Sequence, residues 1–325
     1  MKEEEIRPQH IFSEYLRLCE IDTITYFSNS DKFEINCPSC GSKGRHSFKK
    51  NNFEYKLCDA CSTLYVSPRP VESAFLRYYI ESPSVKYWAT TFYKDTADSR
   101  RKKLWEPKAK MVIELMHQYS TGDNTIVDIG AGFGIFCEEI KRISEIDVIA
   151  IEPVNELAKI CRKKNINVVE KFLQDVSNKD LTRNPKTFVS FELVEHLYDP
   201  SAFFSCIYNL MNSGDMLIFT TLSGTGVDIQ ALWENHKSVT PPHHLNFFNP
   251  SSIKILLDKV GFKFLEVTTP GKLDLDILLN NQDLIKDNFW QTFIKQSNEL
   301  ERNKWQSFIS SSGYSSHMLI CCQKH

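Results

Sequence analysis

Hydrophobic positions along the chain follow two rhythms. Over residues 8–28, Ile11, Phe12, Tyr15, Leu16, Leu18 and Ile21 recur at helical spacing, which predicts a leading helix. Residues 73–118 repeat that pattern with many aromatics, among them Tyr78, Tyr79, Tyr87, Trp88, Phe92, Tyr93 and Trp105. From residue 125 the rhythm changes to short apolar runs separated by amphipathic segments. Strands are expected at Thr125–Gly130, Asp147–Glu152, Asn167–Glu170, Thr187–Phe191, Asp215–Thr221 and Phe262–Thr268. Helices near Ile135–Ile143, Val154–Lys164, Ser201–Met211 and Ser251–Val260 separate them. Such alternation predicts an α/β domain whose parallel sheet is covered on both faces. Residues 273–310 read as a helical insert, and the run Met318–Cys322 as a last strand returning to the sheet. The expected division is a leading helix (1–29), a cysteine module (30–72), a helical connector (73–120) and an α/β domain (121–325). Within that domain fall the helical insert (271–313) and the final strand (317–323).

Composition narrows the function. A formal charge of -2 over 325 residues argues against a wide phosphate-gripping surface. Met1–Glu5 lacks a basic-then-apolar leader pattern, and no apolar run approaches the ~18 residues of a spanning helix. A cytoplasmic protein is the expectation.

Four of the ten cysteines form two C-x-x-C pairs, Cys37/Cys40 and Cys58/Cys61, separated by 17 residues. Each pair makes a tight turn aiming two thiolates at one point, and two such turns complete a tetrahedral Zn²⁺ site. With four sulfur ligands no position remains for water, so the metal is expected to be structural. Phe48, Phe53, Tyr55 and Leu57 between the pairs fit the strand pair of a zinc ribbon. From Asp31 to Arg69 there are seven Lys or Arg against four acids, an excess that could favour phosphates or simply mark a solvated loop.

The segment Ile126-Val127-Asp128-Ile129-Gly130-Ala131-Gly132-Phe133-Gly134 runs from an apolar strand into a glycine-rich turn and a helix. Glycines there let the backbone approach a ligand at the carboxyl end of the strand. Glu152 ends the next strand, 22 residues beyond Gly130, where a carboxylate can accept hydrogen bonds from both ribose hydroxyls. Asp175, after the third strand, is placed to meet an adenine amino group. The G-x-G-x-G spacing disfavours a dinucleotide enzyme.

An acid followed by G-x-G-x-G, with a second acid ending strand two, resembles the class I S-adenosylmethionine-dependent methyltransferases. Phe191-Glu192-Leu193-Val194-Glu195-His196-Leu197, the run Leu210–Asp215 and His244-Leu245-Asn246-Phe247-Phe248 extend the similarity over about 120–270 plus the last strand. The resemblance implies a Rossmann-like seven-stranded methyltransferase sheet. It implies that Gly130 and Gly132 line the methionine end of S-adenosylmethionine, that Glu152 holds the ribose and Asp175 the adenine, and that Asp128 and Glu195, the latter in the family's Glu-His segment, are cofactor-binding residues too. Arg100 and Arg101 are candidates for the cofactor carboxylate.

Pro241-Pro242-His243-His244-Leu245-Asn246 resembles a loop of bacterial sugar C-methyltransferases, which also carry an N-terminal four-cysteine zinc module. In that family the histidine matching His244 is the general base. This chain carries His243 where those enzymes have a glutamate and Pro241 where they have a tyrosine, so oxygen and nitrogen acceptors stay open beside carbon. His244, His243 and His196 are the candidate catalytic residues, with a structural role equally open for the His243–His244 loop. A small sugar-like acceptor is the leading expectation. An RNA methyltransferase docking RNA through the ribbon, and a non-catalytic zinc adaptor, are the alternatives.

Overall fold

The computed structural model describes residues 1–120 and 124–325; the boundary expected at 120/121 falls beside the three residues outside that range. After a helix at Gln9–Phe27 come five short strands: β1 (Lys32–Phe33), β2 (Gly44–Lys50), β3 (Phe53–Cys58), β4 (Leu64–Val66) and β5 (Arg69–Pro70). Asn51 and Asn52 turn β2 into β3 with φ of 44° and 61°. A two-residue hairpin loop needs two left-handed residues, and asparagine tolerates that region best after glycine. Each C-x-x-C knuckle closes on a left-handed residue: the Gly41 N–H donates to the Cys37 carbonyl at 2.9 Å, and the Ser62 N–H to the Cys58 carbonyl at 2.8 Å. The four sulfurs thereby lie within 4.8 Å of one another.

A helix at Glu72–Glu81 leads into a continuous helical stretch over 83–119, loosened by π turns at Trp88–Phe92 and Arg101–Trp105. The α/β domain then lays down β6 (Thr125–Ile129), β7 (Val148–Ile151), β8 (Asn167–Val169), β9 (Lys186–Phe191), β10 (Met216–Leu222), β11 (Asn246–Phe247), β12 (Phe262–Thr268) and β13 (His317–Lys324). Seven of these form one sheet in the order β12-β13-β10-β9-β6-β7-β8, with β13 antiparallel to both neighbours. The seven strands stand where expected, with ends shifted by a residue or two, but the sheet is mixed and not all parallel because the final strand runs antiparallel.

Alternation explains why the sheet is buried on both sides. Val127 and Ile129 join the core under the helices Pro200–Leu210 and Pro250–Val260. Ile126 joins Phe136, Ile140, Val112 and Met116 in the opposite layer. The covering helices are locally well specified. Asn249 caps Pro250–Val260 by accepting from the Ser251 and Ser252 N–H groups, and Gly261 ends it at φ 108°. Strand order reverses between β6 and its neighbours β7 and β9, so the turn after β6 sits at the switch point where open α/β sheets bind ligands. Among the described residues no helix is long and apolar enough to cross a membrane.

The ribbon is tied into the α/β domain. β11 pairs with β4, giving a four-stranded sheet β11-β4-β3-β2, and the Val66 N–H donates to the Leu245 carbonyl at 2.9 Å. Asn249 Nδ2 donates to the Cys61 carbonyl at 2.8 Å, and Ser39 Oγ to the Ser252 carbonyl at 2.6 Å. Arg69, 2% exposed, clamps the junction: its guanidinium donates to the carbonyls of Val66 and Tyr198 and to Asn246 Oδ1. Removing a buried cation's side chain would strand those three acceptors. Arg69→Ala is expected to cost about 1–3 kcal/mol for each acceptor left unpaired, read from urea unfolding midpoints; a total loss below about 1 kcal/mol would show that the clamp is dispensable.

Candidate active site

At the end of β6 the chain turns through Gly130 (φ 74°), Gly132 (φ 56°) and Gly134 (φ 67°). The three glycines do different work. A Cβ on Gly132 would meet nothing within 4 Å, so this backbone borders open space. A Cβ on Gly134 would fall 2.7 Å from Ile166 Cδ1 and 2.9 Å from Cys161 Sγ, so that glycine lets the helix Asn155–Lys163 and its exit pack closely on the turn. Glu152, at the end of β7, is buried and faces the same turn: its Oε2 accepts from the Gly132 N–H at 2.8 Å and its Oε1 from the Val154 N–H at 2.9 Å. Burial raises its carboxyl and the two N–H groups offset part of that. Each oxygen keeps a lone pair for a further donor. Asp128 lies behind the turn, buried, and among the described residues only the Cys137 thiol donates to it, at 3.3 Å; burial pushes it up to about 7. Asp175 is exposed in a 3₁₀ turn after β8, its N–H donating to the Phe172 carbonyl at 2.9 Å.

A second cluster forms where the loop before β11 meets the turn after β9. The rings of His196 and His243 lie 4.3 Å apart, and those of His196 and His244 4.7 Å. Backbone carbonyls fix two of the tautomers. His196 Nδ1 contacts the His243 carbonyl at 2.9 Å, and His244 Nδ1 contacts the Ser238 carbonyl. A carbonyl can only accept, so both Nδ1 atoms carry the proton and both Nε2 atoms present a lone pair. Burial lowers all three imidazoles, His196 to about 4, so they are neutral at physiological pH. Tyr55 Oη donates to the His244 carbonyl at 2.6 Å, so the ribbon touches the catalytic-candidate loop directly. His243 Nδ1 instead meets Tyr78 Oη at 3.2 Å and packs against Tyr15 of the leading helix.

Glu195 sits beneath these rings and accepts from Thr221 Oγ1 at 2.9 Å. Burial, then the neighbouring Glu192 charge, push it up to about 8, so it is protonated at neutral pH. It touches the histidine cluster and not the glycine turn. Ligand atoms of Glu195, His196 and His244 lie within 4.8 Å of one another, a spacing compatible with a cation among the described residues.

Several residues of this cleft were invisible in the sequence as site residues. Glu192 adopts a left-handed φ of 53°, unusual for a residue with a Cβ. Its Oε1 accepts from Lys108 Nζ at 3.0 Å and Thr220 Oγ1 at 2.8 Å and lies 3.6 Å from His317 Nε2. Burial alone would raise this carboxyl, but His317 and Lys108 together hold it well below the ordinary range. The Glu192 and His317 side chains remain 35% and 28% exposed, so the cluster lines a cleft and is not sealed core. Of the two arginines considered for a cofactor carboxylate, Arg101 is committed to Glu138 and Glu139, at 2.7 and 2.6 Å. Two surface depressions, about 380 and 600 Å³, border the leading helix and include none of these residues.

The sheet order, the glycine turn facing a strand-end carboxylate, and the flanking helices together define a Rossmann-like methyltransferase fold. Residues 94–267 match the family model described as a methyltransferase domain, more than half of the chain, and the protein belongs to that family. The rat mitochondrial ubiquinone biosynthesis O-methyltransferase is 32% identical over 108 residues, 31% of this chain and 31% of that protein. The chain thus spans about a third of the length of that relative. The plantazolicin methyltransferase solved with S-adenosylhomocysteine superposes with a TM-score of 0.50 at 12% identity, covering 77% of this chain and 93% of that one. A methyltransferase from Thermotoga maritima described as a possible histamine N-methyltransferase gives 0.49 at 15% identity, covering 73% and 98%.

The buried Asp128 carboxyl has a direct consequence for pH dependence. Its folded value is raised above the unfolded one, so its stability contribution is present at low pH and is lost as pH rises toward about 7. Asp128→Asn, which cannot ionise, should therefore gain on the wild type between pH 5 and pH 7, by about 1.4 kcal/mol per pH unit at most, and hold that gain above. Thermal melts across this range check it; a difference independent of pH would contradict the assignment.

Proposed function

We propose that this protein is an S-adenosylmethionine-dependent methyltransferase that transfers to a hydroxyl of a small, sugar-like acceptor. The observation that carries the reading is the joining of two half-sites across one sheet edge. One is a glycine turn open to ligand beside a strand-end carboxylate, and the other is a cluster of neutral, tautomer-fixed histidines. The donor set fits the cofactor: Gly130 and Gly132 would pass under the methionine end, Glu152 would accept from the ribose hydroxyls, and Asp175 would meet the adenine. Bound there, S-adenosylmethionine supplies an activated methyl group. What remains for the protein is alignment and removal of a proton from the acceptor. His244 Nε2 is the base we assign. Its Nδ1–H is anchored on the Ser238 carbonyl, and its depressed basicity keeps it unprotonated at neutral pH. The rat relative's name as an O-methyltransferase supports oxygen as the accepting atom.

The ribbon's surface argues for a small molecule over RNA. Arg69 is buried, Lys50 Nζ donates to the His236 carbonyl at 3.0 Å, Arg45 pairs with Asp59 at 2.8 Å, and Lys56 pairs with Glu34. Two of the seven cations are thus turned into the fold and two more are neutralised by acids, leaving little to grip a phosphate backbone.

Glu152→Ala is expected to weaken S-adenosylhomocysteine binding by about 100-fold, on the scale of two lost charge-assisted hydrogen bonds. His244→Gln should leave that affinity within a factor of three and slow transfer by about 10²–10⁴-fold. Calorimetry and single-turnover kinetics separate the two effects; unchanged transfer in His244→Gln would remove it as base, and unchanged binding in Glu152→Ala would misplace the ribose.

Cys37, Cys40, Cys58 and Cys61 would hold one structural Zn²⁺. Their convergence within 4.8 Å suits tetrahedral thiolate ligation with bonds near ~2.3 Å. Because β4 carries β11 and the histidine loop, stripping the metal with a chelator should abolish transfer while cofactor binding at β6 and β7 persists. Metal analysis should return one zinc per chain; full activity in metal-free protein would sink this role.

A further inference from the structure

We propose that the acceptor carries an oxyanion, a phosphate or carboxylate, seated on the guanidinium groups of Arg7 and Arg100. This rests on the methyltransferase reading above and specifies its substrate class. Arg100 is only 8% exposed, and its Nε has no hydrogen-bond partner among the described residues. Its guanidinium lies 5.9 Å from the rings of Trp88 and Phe92 and 5.6 Å from Tyr93, so aromatic faces surround it where a buried cation would ordinarily find a carboxylate. Arg7 Nε is likewise buried and unpartnered, while Arg7 Nη1 reaches Ser238 Oγ at 3.4 Å, on the residue that anchors His244. The two arginines flank one aromatic pair: Arg7 lies 5.5 Å from the ring of Phe12, which stands 6.0 Å from the ring of Phe92 beside Arg100.

Charge balance favours an anion at these arginines. Lys108 is paired with Glu192, whereas neither Arg7 nor Arg100 has a carboxylate partner among the described residues. Glu192 already accepts from Lys108 and Thr220 and lies beside His317. Glu195, the next acid, is protonated and bonded to Thr221. A buried guanidinium without a partner is costly unless a ligand completes it, and the planar fork matches an oxyanion bidentately. The location fits an acceptor group and not the cofactor's ribose or base, because Arg7 borders the His244 anchor and not the Glu152 turn. Tyr93, however, also stacks on Phe133 of the glycine turn at 4.4 Å, so the cofactor's own carboxylate is the competing occupant of Arg100.

The test titrates zinc-loaded, S-adenosylhomocysteine-saturated protein with inorganic phosphate and, separately, acetate, at constant ionic strength. At least one ion should bind saturably at one site, at least tenfold more weakly in both Arg7→Gln and Arg100→Gln, with S-adenosylhomocysteine affinity changed less than threefold. The stronger ion identifies phosphate or carboxylate. No saturable binding to the wild type, or equal binding to the variants, overturns the proposal. A tenfold loss of S-adenosylhomocysteine affinity in Arg100→Gln does so as well, moving Arg100 to the cofactor. If Arg100→Gln fails to fold, Arg7→Gln and Arg100→Lys decide: the first should lose the ion, and the second should keep charge but weaken bidentate binding. Should the wild type bind no S-adenosylhomocysteine, the methyltransferase reading fails, and the same ion titrations on cofactor-free protein still judge the anion site by themselves.

Discussion

The arrangement depends on one short pairing, β4 of the ribbon against β11. Two residues on each strand suffice to carry it because everything around them is buried and hydrogen-bonded. Arg69 binds both sides, Asn246 reaches back to the Leu197 carbonyl at 2.8 Å, and Tyr55 Oη holds the carbonyl of His244 at 2.6 Å. A loop of prolines and histidines has little intrinsic conformation of its own. Here its exit is made a strand by a module more than 170 residues earlier in the chain. The ribbon is therefore a wall of the cleft as well as a fold of its own, and its knuckles bring the four sulfurs together 188 residues, counted from Cys61, before the Asn249 cap they touch.

That division of labour explains the chemistry on each side of the sheet edge. The glycine turn and Glu152 are built entirely from β6, β7 and their connections, the most locally determined part of the molecule. The histidine cluster draws on the turn after β9, the loop before β11, the leading helix through Tyr15 and the ribbon through Tyr55. Conserving the first while changing the second is how a single sheet can serve many acceptors.

Legibility in the sequence follows the same line. The seven sheet strands were readable because each is a continuous or alternating apolar run bounded by polar turns, and the observed ends differ by at most two residues. The C-x-x-C pairs and the glycine spacing were readable because their geometry is local. β11 was not, since two residues, Asn246 and Phe247, carry no periodicity and become a strand only against Leu64 and Tyr65. Nor were Arg7, Lys108, Glu192 and His317: one lies in a short turn before the leading helix, one in the connector, one after β9 and one in the last strand. Nothing but the finished fold brings them together. The two π turns also escaped notice, because helical periodicity does not distinguish one extra residue in a turn from none.

Electrostatics then sets what the cleft can accept. Burial keeps His196, His243 and His244 uncharged and Glu195 protonated, so the groups nearest the assigned base contribute dipoles and lone pairs without net charge. The fixed charges are carried by Lys108 with Glu192 and by the arginines. A neutral base beside buried cations favours an acceptor that is uncharged at its reacting hydroxyl and anionic elsewhere. Binding energy gained at the arginines would orient the hydroxyl toward His244 without altering the proton affinity on which transfer depends. Had the histidines been exposed and the arginines paired, the same residues would form an ordinary charged surface. Burial of the first group and the unmatched charge of the second turn this loop and helix junction into a site.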